Sequence, residues 1–321
     1  MMKVNRRQFM STIAAGLVFA VAGTSAFAAD WKPTRDIEFV VPNSAGGGND
    51  LLARSLAKIL TEEKLVPTSI AIVNKPGGAQ AVGMGYAATN KHGDPHTLAL
   101  ISTGSQVTPL SVKNAKGVRD LQPIAILTVD DFLLVTSPKS KYKTAAEMVE
   151  AAKARPRSVS IGIGGATDEM AVAALELETG AKFNIVRFDS TGDSVNAVLG
   201  GHVDATTGNP VELLSQVEGG NLKGAAVFRP TRFSVLPDVP TLTEQGIKAP
   251  VYQAWRGVAV PKGIPAEAQA YWQDVFRRVA ATKAFQDLIS ANRSEAKLLT
   301  GDELNSYLDK QEELYKRLLA R

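Results

Sequence analysis

"FVVPNSAGGGNDLLAR", residues 39–54, passes from a β-branched apolar run through three consecutive glycines into a segment with apolar residues at helical spacing. The run predicts a strand, and Leu52, Leu56 and Ile59 fall on one face of a helix that would pack onto a sheet. A strand that turns through glycines into a helix leaves the helix's first N–H groups unpaired at the turn. Those donors and the positive end of the helix dipole favour an anion. The device returns at "VSIGIGGATDEMAVAAL", residues 159–175, where Met170, Ala173, Ala174 and Leu177 share a face and Gly180 supplies a C-terminal stop. One such turn is equally a glycine that permits a tight bend. Two of them fit a two-lobed protein that grips an anionic ligand from both sides.

Short β-branched runs recur between helical stretches: "IEFVVP" at 37, "TSIAIVN" at 68, "HTLALIS" at 96, "PIAILTV" at 123, "FLLVTS" at 132, "VSIGIG" at 159, "FNIVRF" at 183, "VDATTG" at 203, "KGAAVF" at 223 and "RGVAVP" at 256. The alternation predicts an α/β fold with mainly parallel sheets flanked by helices. From Pro265 onward the pattern is amphipathic helix, with a Thr300-x-x-Glu303 capping box before the last segment.

The chain begins with a basic start, an apolar run and small residues ending in Ala26-Phe27-Ala28. This order predicts a secretory signal peptide over residues 1–28. Arg6 and Arg7 fit a twin-arginine address, and basic residues also begin an ordinary Sec signal. Either route predicts a periplasmic location. Loss of Lys3, Arg6 and Arg7 with the signal lowers the formal net charge from +4 to +1. A near-neutral chain lacks the concentrated basic surface that nucleic acid requires. The absence of cysteine removes disulfides, thiolate nucleophiles and a lipidation site after the signal.

The turns themselves restrict the chemistry. No Gly-Lys-Ser/Thr follows "AGGG", so this is not a nucleotide-hydrolysing P-loop, and Thr167 stands where a dinucleotide fingerprint needs its third glycine. There is no G-x-S-x-G elbow. "HGDPH" holds His92 and His96 around Gly93 and Pro95, which cannot form a helix presenting both rings, so both are expected in a surface loop. His202 is expected as a capping or surface residue. No catalytic constellation, cofactor site or metal site is predicted.

Taken in order, "VVPNSAGGGNDLLAR" at 40, "IVNKPGGAQAVGMGYAA" at 72, "GDPHTLALIS" at 93, "YKTAAEMVEAAKARPRSVSIGIGGATDEM" at 142, "VRFDSTGDSVNAVLGGHVDATTGN" at 186, "LPDVPTLTEQGI" at 236 and "AWRGVAVPKGIP" at 254 resemble the substrate-binding proteins of tripartite tricarboxylate transporters, the TctC or Bug family. The resemblance spans nearly all of the chain after the signal. It implies a two-domain clamshell of the type II-like periplasmic binding fold, which closes on a small carboxylate and delivers it to a two-component membrane permease. It also implies that backbone amides of the two turns bind carboxylate oxygens. Matched to this chain, these are Asn43, Ser44, Ala45, Gly46, Gly47, Gly48 and Asn49 in the first turn, and Gly164, Gly165, Ala166, Thr167 and Asp168 in the second. "NKPGGA", Asn74 to Ala79, resembles the element that holds bridging waters over the ligand. Relatives often carry tryptophan where Asn49 stands, so citrate does not transfer directly as the substrate.

Ser102 and Thr103 follow a strand at the end where open α/β sheets bind ligands, and Asp189 and Asn209 occupy comparable places further along. Their side chains are expected to read the ligand, with an ordinary polar turn as the alternative for Ser102 and Thr103. Arg256 is expected either to form an inter-lobe salt bridge or to contact the ligand. The expected domains are 29–128 with 229–321, and 129–228. The chain is expected to be a monomer that binds a di- or tricarboxylate, possibly aromatic, without transforming it. An exported enzyme on an anionic small molecule and a ligand-presenting protein for a sensor kinase are the alternatives.

Overall fold

The computed structural model describes residues 31–188, 190–248, 252–292 and 294–320. The expected signal peptide and Asp189 lie outside the described residues. The eleven described strands are β1 (Ile37–Val41), β2 (Ile70–Asn74), β3 (Thr97–Ser102), β4 (Gln122–Asp130), β5 (Leu133–Thr136), β6 (Ser160–Ile163), β7 (Asn184–Arg187), β8 (Ala205–Gly208), β9 (Lys223–Val227), β10 (Ala254–Val260) and β11 (Glu295–Leu299). Ten α-helices accompany them: α1 (Gly48–Glu62), α2 (Ala81–Gly85), α3 (Thr103–Ser111), α4 (Ala145–Ala154), α5 (Ala166–Thr179), α6 (Thr191–Leu199), α7 (Pro210–Glu218), α8 (Ala266–Ala281), α9 (Lys283–Ala291) and α10 (Gly301–Leu319).

The strands form a six-stranded sheet ordered β11-β4-β10-β3-β1-β2 and a five-stranded sheet ordered β7-β6-β8-β5-β9. The duplication read from the two turns is topological. β1 lies between β2 and β3, parallel to both, and β6 lies between β7 and β8 in the same way. The sheets are nevertheless mixed rather than mainly parallel, because β10 pairs antiparallel with β3 and β4, and β5 with β8 and β9. The reason is connectivity. β4 runs on through residues 131–132 into β5, and residues 252–253 lead into β10. A strand that arrives from the other sheet enters at the end where its neighbours finish, and so runs against them.

Helix α1 buries Leu52, Leu56, Ile59 and Leu60 against Ile37, Phe39 and Val41, and the same cluster takes in Trp272, Val275, Phe276 and Val279 of α8. Each such side chain contributes about 1.5–3 kcal/mol when fully buried. Beneath the second sheet, Met148, Val149, Ala171 and Leu175 pack with Ile161 and Ile163. Helix α10 serves both: Leu304 and Leu308 join a first-sheet cluster, while Leu314, Tyr315 and Leu318 join the second-sheet core. Thr300 is its N-cap, but its side chain makes no capping hydrogen bond, so the expected capping box is not closed.

The stretch after residue 228, expected with the first domain, packs on the second sheet. Phe233, Leu236 and Val239 share a cluster with Leu133, Val135 and Val227, and Leu242 and Ile247 join the core under β6. These apolar positions sit in a loop that follows β9 directly, so the nearest apolar surface is the one they have just left. Among the described residues no helix is long and apolar enough to cross a membrane.

Candidate functional site: a cleft between two glycine-rich turns

Both turns are braced by an aspartate in the first turn of the following helix. Asp50 is buried and accepts from the Gly46 N–H at 2.8 Å, from Arg54 Nε at 2.9 Å and from Asn74 Nδ2 at 2.9 Å. The Arg54 hydrogen bond, ahead of the Gly46 N–H, holds its carboxyl down at about 2. Asp168 is also buried and accepts from the Gly164 N–H at 2.9 Å. Its second partner is the Thr191 hydroxyl at 3.4 Å. Desolvation, with the nearby Glu212 charge adding to it, pushes this carboxyl up to about 7.

The braces change what the turns can offer. The N–H groups of Gly46 and Gly164, both expected to meet the ligand, are taken by Asp50 and Asp168. Asp168 itself, expected as a ligand contact, is absent from the cavity lining. A carboxylate placed against an anion would repel it, whereas folded back on its own turn it fixes the backbone. The first turns of α1 and α5 still carry N–H groups beyond the reach of intrahelical carbonyls, including those of Gly48, Asn49 and Thr167.

A cavity of about 440 Å³ lies between the turns, lined by Asn43 and Asn49 from the first, Thr167 from the second, and Ser102, Thr103 and Gly104 at the start of α3. Among the described residues, Ser44, Ala45, Gly46, Gly47, Gly48, Gly164, Gly165 and Asn209 are not on the lining, and the side chain of Ala166 lies outside what the structure describes. Gly48 and Asn209 instead border a second cleft with Asp130 and Leu288, on whose wall Arg256 also stands. The Asn209 amide donates to the Asp131 carbonyl at 3.0 Å, which ties α7 to the crossing between the sheets. Gln253 of the return crossing donates to Asp131 Oδ1 at 2.6 Å.

Ser102 donates to Gln80 Oε1 at 3.1 Å, and Thr103 Oγ1 accepts the Trp255 N–H at 2.9 Å. Gln80 was not foreseen as a site residue. It follows Ala79 in "NKPGGAQ", and both residues have positive φ, +50° and +82°. Left-handed backbone at a non-glycine residue costs roughly 1–2 kcal/mol. The segment is pinned by Thr108 Oγ1, which donates to the Ala79 carbonyl at 2.6 Å, and by Asn74, which donates to the Asn43 carbonyl at 3.0 Å. No local signal in the sequence marks Gln80, because its conformation is imposed by contacts from α3.

Arg256 Nε donates to Asn49 Oδ1 at 3.1 Å, and its Nη1 pairs closely with Asp130. Asp130 and Arg256 belong to adjacent strands of one sheet, so the ion pair is not the inter-lobe bridge expected as one alternative. Asn49 in turn donates to Asn43 Oδ1 at 2.7 Å. Val107, Met170, Tyr252 and Trp255 also line the cavity, and of these the sequence had singled out Met170, as a packing residue of its helix. His96 is buried edge-on against Trp31 rather than set in a surface loop. Tyr271 and Trp272 pack against each other and against Trp31 and Phe276.

Two mixed sheets joined by two crossings, each presenting a glycine-rich turn and a helix N-terminus to a shared cavity, define a periplasmic solute-binding protein fold. The family model described as "Tripartite tricarboxylate transporter family receptor" matches residues 52–321. The chain belongs to that family. Protein BugT of Bordetella pertussis is 28% identical over 303 residues, 91% of each chain. A TctC solute-binding protein from Polaromonas is 30% identical with a TM-score of 0.78, over 90% of this chain and 99% of that one. A Rhodopseudomonas palustris protein solved with adipate is 22% identical with a TM-score of 0.72, over 89% and 98%.

Proposed function

We propose that the protein captures a small organic carboxylate in the cleft between its two sheets, outside the cytoplasm, and hands it unchanged to a two-component membrane permease. The observation that carries this reading is that Asn49 and Thr167, from separate glycine-rich turns on separate sheets, line one cavity. Each follows its turn into the start of a helix, where free N–H groups and the dipole favour an anion. The crossings at residues 131–132 and 252–253 act as the hinge between lobes, with residues 233–247 moving as part of the second lobe. Family membership supports a di- or tricarboxylate, and the adipate held by one structural neighbour is a dicarboxylate. The working form is a monomer lacking residues 1–28.

A thermal-shift screen of the chain from residue 29 against carboxylates, amino acids and sugars tests the reading, with the ligand recovered and weighed for chemical change. Saturable shifts with carboxylates, and intact ligand, are expected. Shifts with amino acids or sugars alone, or consumption of the carboxylate, would overturn it.

A further inference from the structure

A guanidinium can only donate, and Arg256 therefore gives direction to a chain of side chains on the cavity wall. Its Nε donates to Asn49 Oδ1 at 3.1 Å, so the Asn49 amide nitrogen is turned away from it. That nitrogen donates to Asn43 Oδ1 at 2.7 Å and reaches toward Ser102 Oγ at 3.5 Å. The Ser102 hydroxyl donates in turn to Gln80 Oε1 at 3.1 Å. Both branches end on an amide whose oxygen is already accepting. The amide nitrogens of Asn43 and Gln80 have no hydrogen-bond partner among the described residues, and both side chains line the cavity. The fold holds Gln80 in this place. Its φ is +82°, it follows Ala79 at +50°, and Thr108 pins the segment through the Ala79 carbonyl. Gly104 lies under the side chain: a Cβ there would stand 2.9 Å from Gln80 Cδ and collide with the amide nitrogen. Strained backbone of this kind persists where the surroundings over-determine it.

We propose that Gln80 is a specificity-determining residue: its Nε2 donates to an oxygen of the bound ligand, with Asn43 Nδ2 as a second side-chain donor on the same wall. This rests on the carboxylate-binding reading and deepens it. The helix amides hold one carboxylate, and Gln80 and Asn43 read a further polar group of the same molecule. Because both amide oxygens are engaged, the wall offers donors and asks for an acceptor. A second carboxylate or a carbonyl oxygen meets that demand. An amino or ammonium group at the same place sets donor against donor and loses its water without gaining a partner.

Calorimetric titration of the wild type, Gln80→Met and Gln80→Glu with succinate, adipate, malate and citrate tests this, with melting temperatures recorded for each protein. Methionine keeps the length of the side chain and removes the donor. Glutamate keeps the shape and the acceptor for Ser102, and turns an anionic oxygen to the cavity where the nitrogen stood. Affinity for the best of the four acids is expected to fall about tenfold in Gln80→Met. It is expected to fall further in Gln80→Glu, about a hundredfold, because like charges then face each other. The order of the two variants is decisive, since a purely structural role for Gln80 predicts the reverse: glutamate preserves the Ser102 hydrogen bond and methionine does not. Gln80→Glu binding as tightly as Gln80→Met, or wild-type affinity in both variants, would overturn the inference and leave the carboxylate reading intact. Binding of none of the four acids by the wild type would overturn the carboxylate reading as well.

Discussion

Asp50 and Asp168 hold the same place in two copies of one device, each accepting the N–H of the residue four positions before it, Gly46 at 2.8 Å and Gly164 at 2.9 Å. They differ in what surrounds the carboxylate. Arg54 and Asn74 complete the first, whereas the second has the Thr191 hydroxyl and the repulsive charge of Glu212. One brace is an ion pair and the other is a buried acid near neutrality, so the two halves of the cleft should respond differently to pH.

For Asp168 the folded protein keeps a proton up to about pH 7, which the unfolded chain releases near 3.8. Between those values the folded state binds more protons, so stability should fall as pH rises from 3.8 toward 7. Asp168→Asn should flatten this slope in melting curves recorded across the range. The same charge opposes an anion at the second turn, so carboxylate affinity should also decline through pH 7 in the wild type and not in Asp168→Asn. Equal pH profiles for the two proteins would contradict the assignment.

Asp50 behaves in the opposite sense. Its folded value of about 2 lies below the ordinary 3.8, so its contribution is complete above 3.8 and is lost as pH falls toward 2. Asp50→Ala strips the partner from a buried network and should cost about 2–4 kcal/mol at pH 7 in urea titration. A loss below 1 kcal/mol would show that Arg54 and Asn74 find other partners.

The glycines of the second turn are not equivalent. A Cβ on Gly164 would stand 2.0 Å from the Thr191 backbone nitrogen, while one on Gly165 meets nothing within 4 Å. Gly165 is also in extended backbone, which any residue adopts. Gly164→Ala should therefore destabilise by about 1–3 kcal/mol and weaken carboxylate binding, and Gly165→Ala should do neither. The comparison needs only melting temperatures and one titration for each variant.

Much of this was legible in the sequence. Ten of the eleven described strands overlap the β-branched runs, because each is a short apolar stretch bounded by turn residues. β11, "EAKLL", was not legible: its residues are largely exposed or half-buried, and what makes it a strand is pairing with β4. The duplicated turns were visible because glycine, helix start and strand end are all local signals. The braces were not. Asp50 and Asp168 read as ordinary first-turn acids, and only the fold shows that their carboxylates occupy N–H groups otherwise available to a ligand. Tyr252 and Gln80 reach the cavity through contacts with α10 and α3, and no local pattern could place them there.

Asn49 links Arg256 to Asn43 on the cavity wall. Asn49→Ala should leave the helix N-terminus and its N–H groups intact while releasing both side chains. The expected result is a changed order of affinities among adipate, malate and citrate, with carboxylate binding retained. Loss of all carboxylate binding in a protein with a wild-type melting temperature would mean that the Asn49 side chain, rather than the backbone, is the anion ligand.

The central claim is that helix N-terminal amides hold the carboxylate, and Gly47→Pro addresses it most directly. Gly47 is the N-cap of α1 with φ −77°, within the range of proline, so the substitution removes a backbone donor with little demand on the fold. Calorimetric titration of wild type and Gly47→Pro with the carboxylate giving the largest thermal shift is the measurement. The account predicts a single site in the wild type, and affinity at least about tenfold weaker in the variant at an unchanged melting temperature. Unimpaired binding by Gly47→Pro would contradict it.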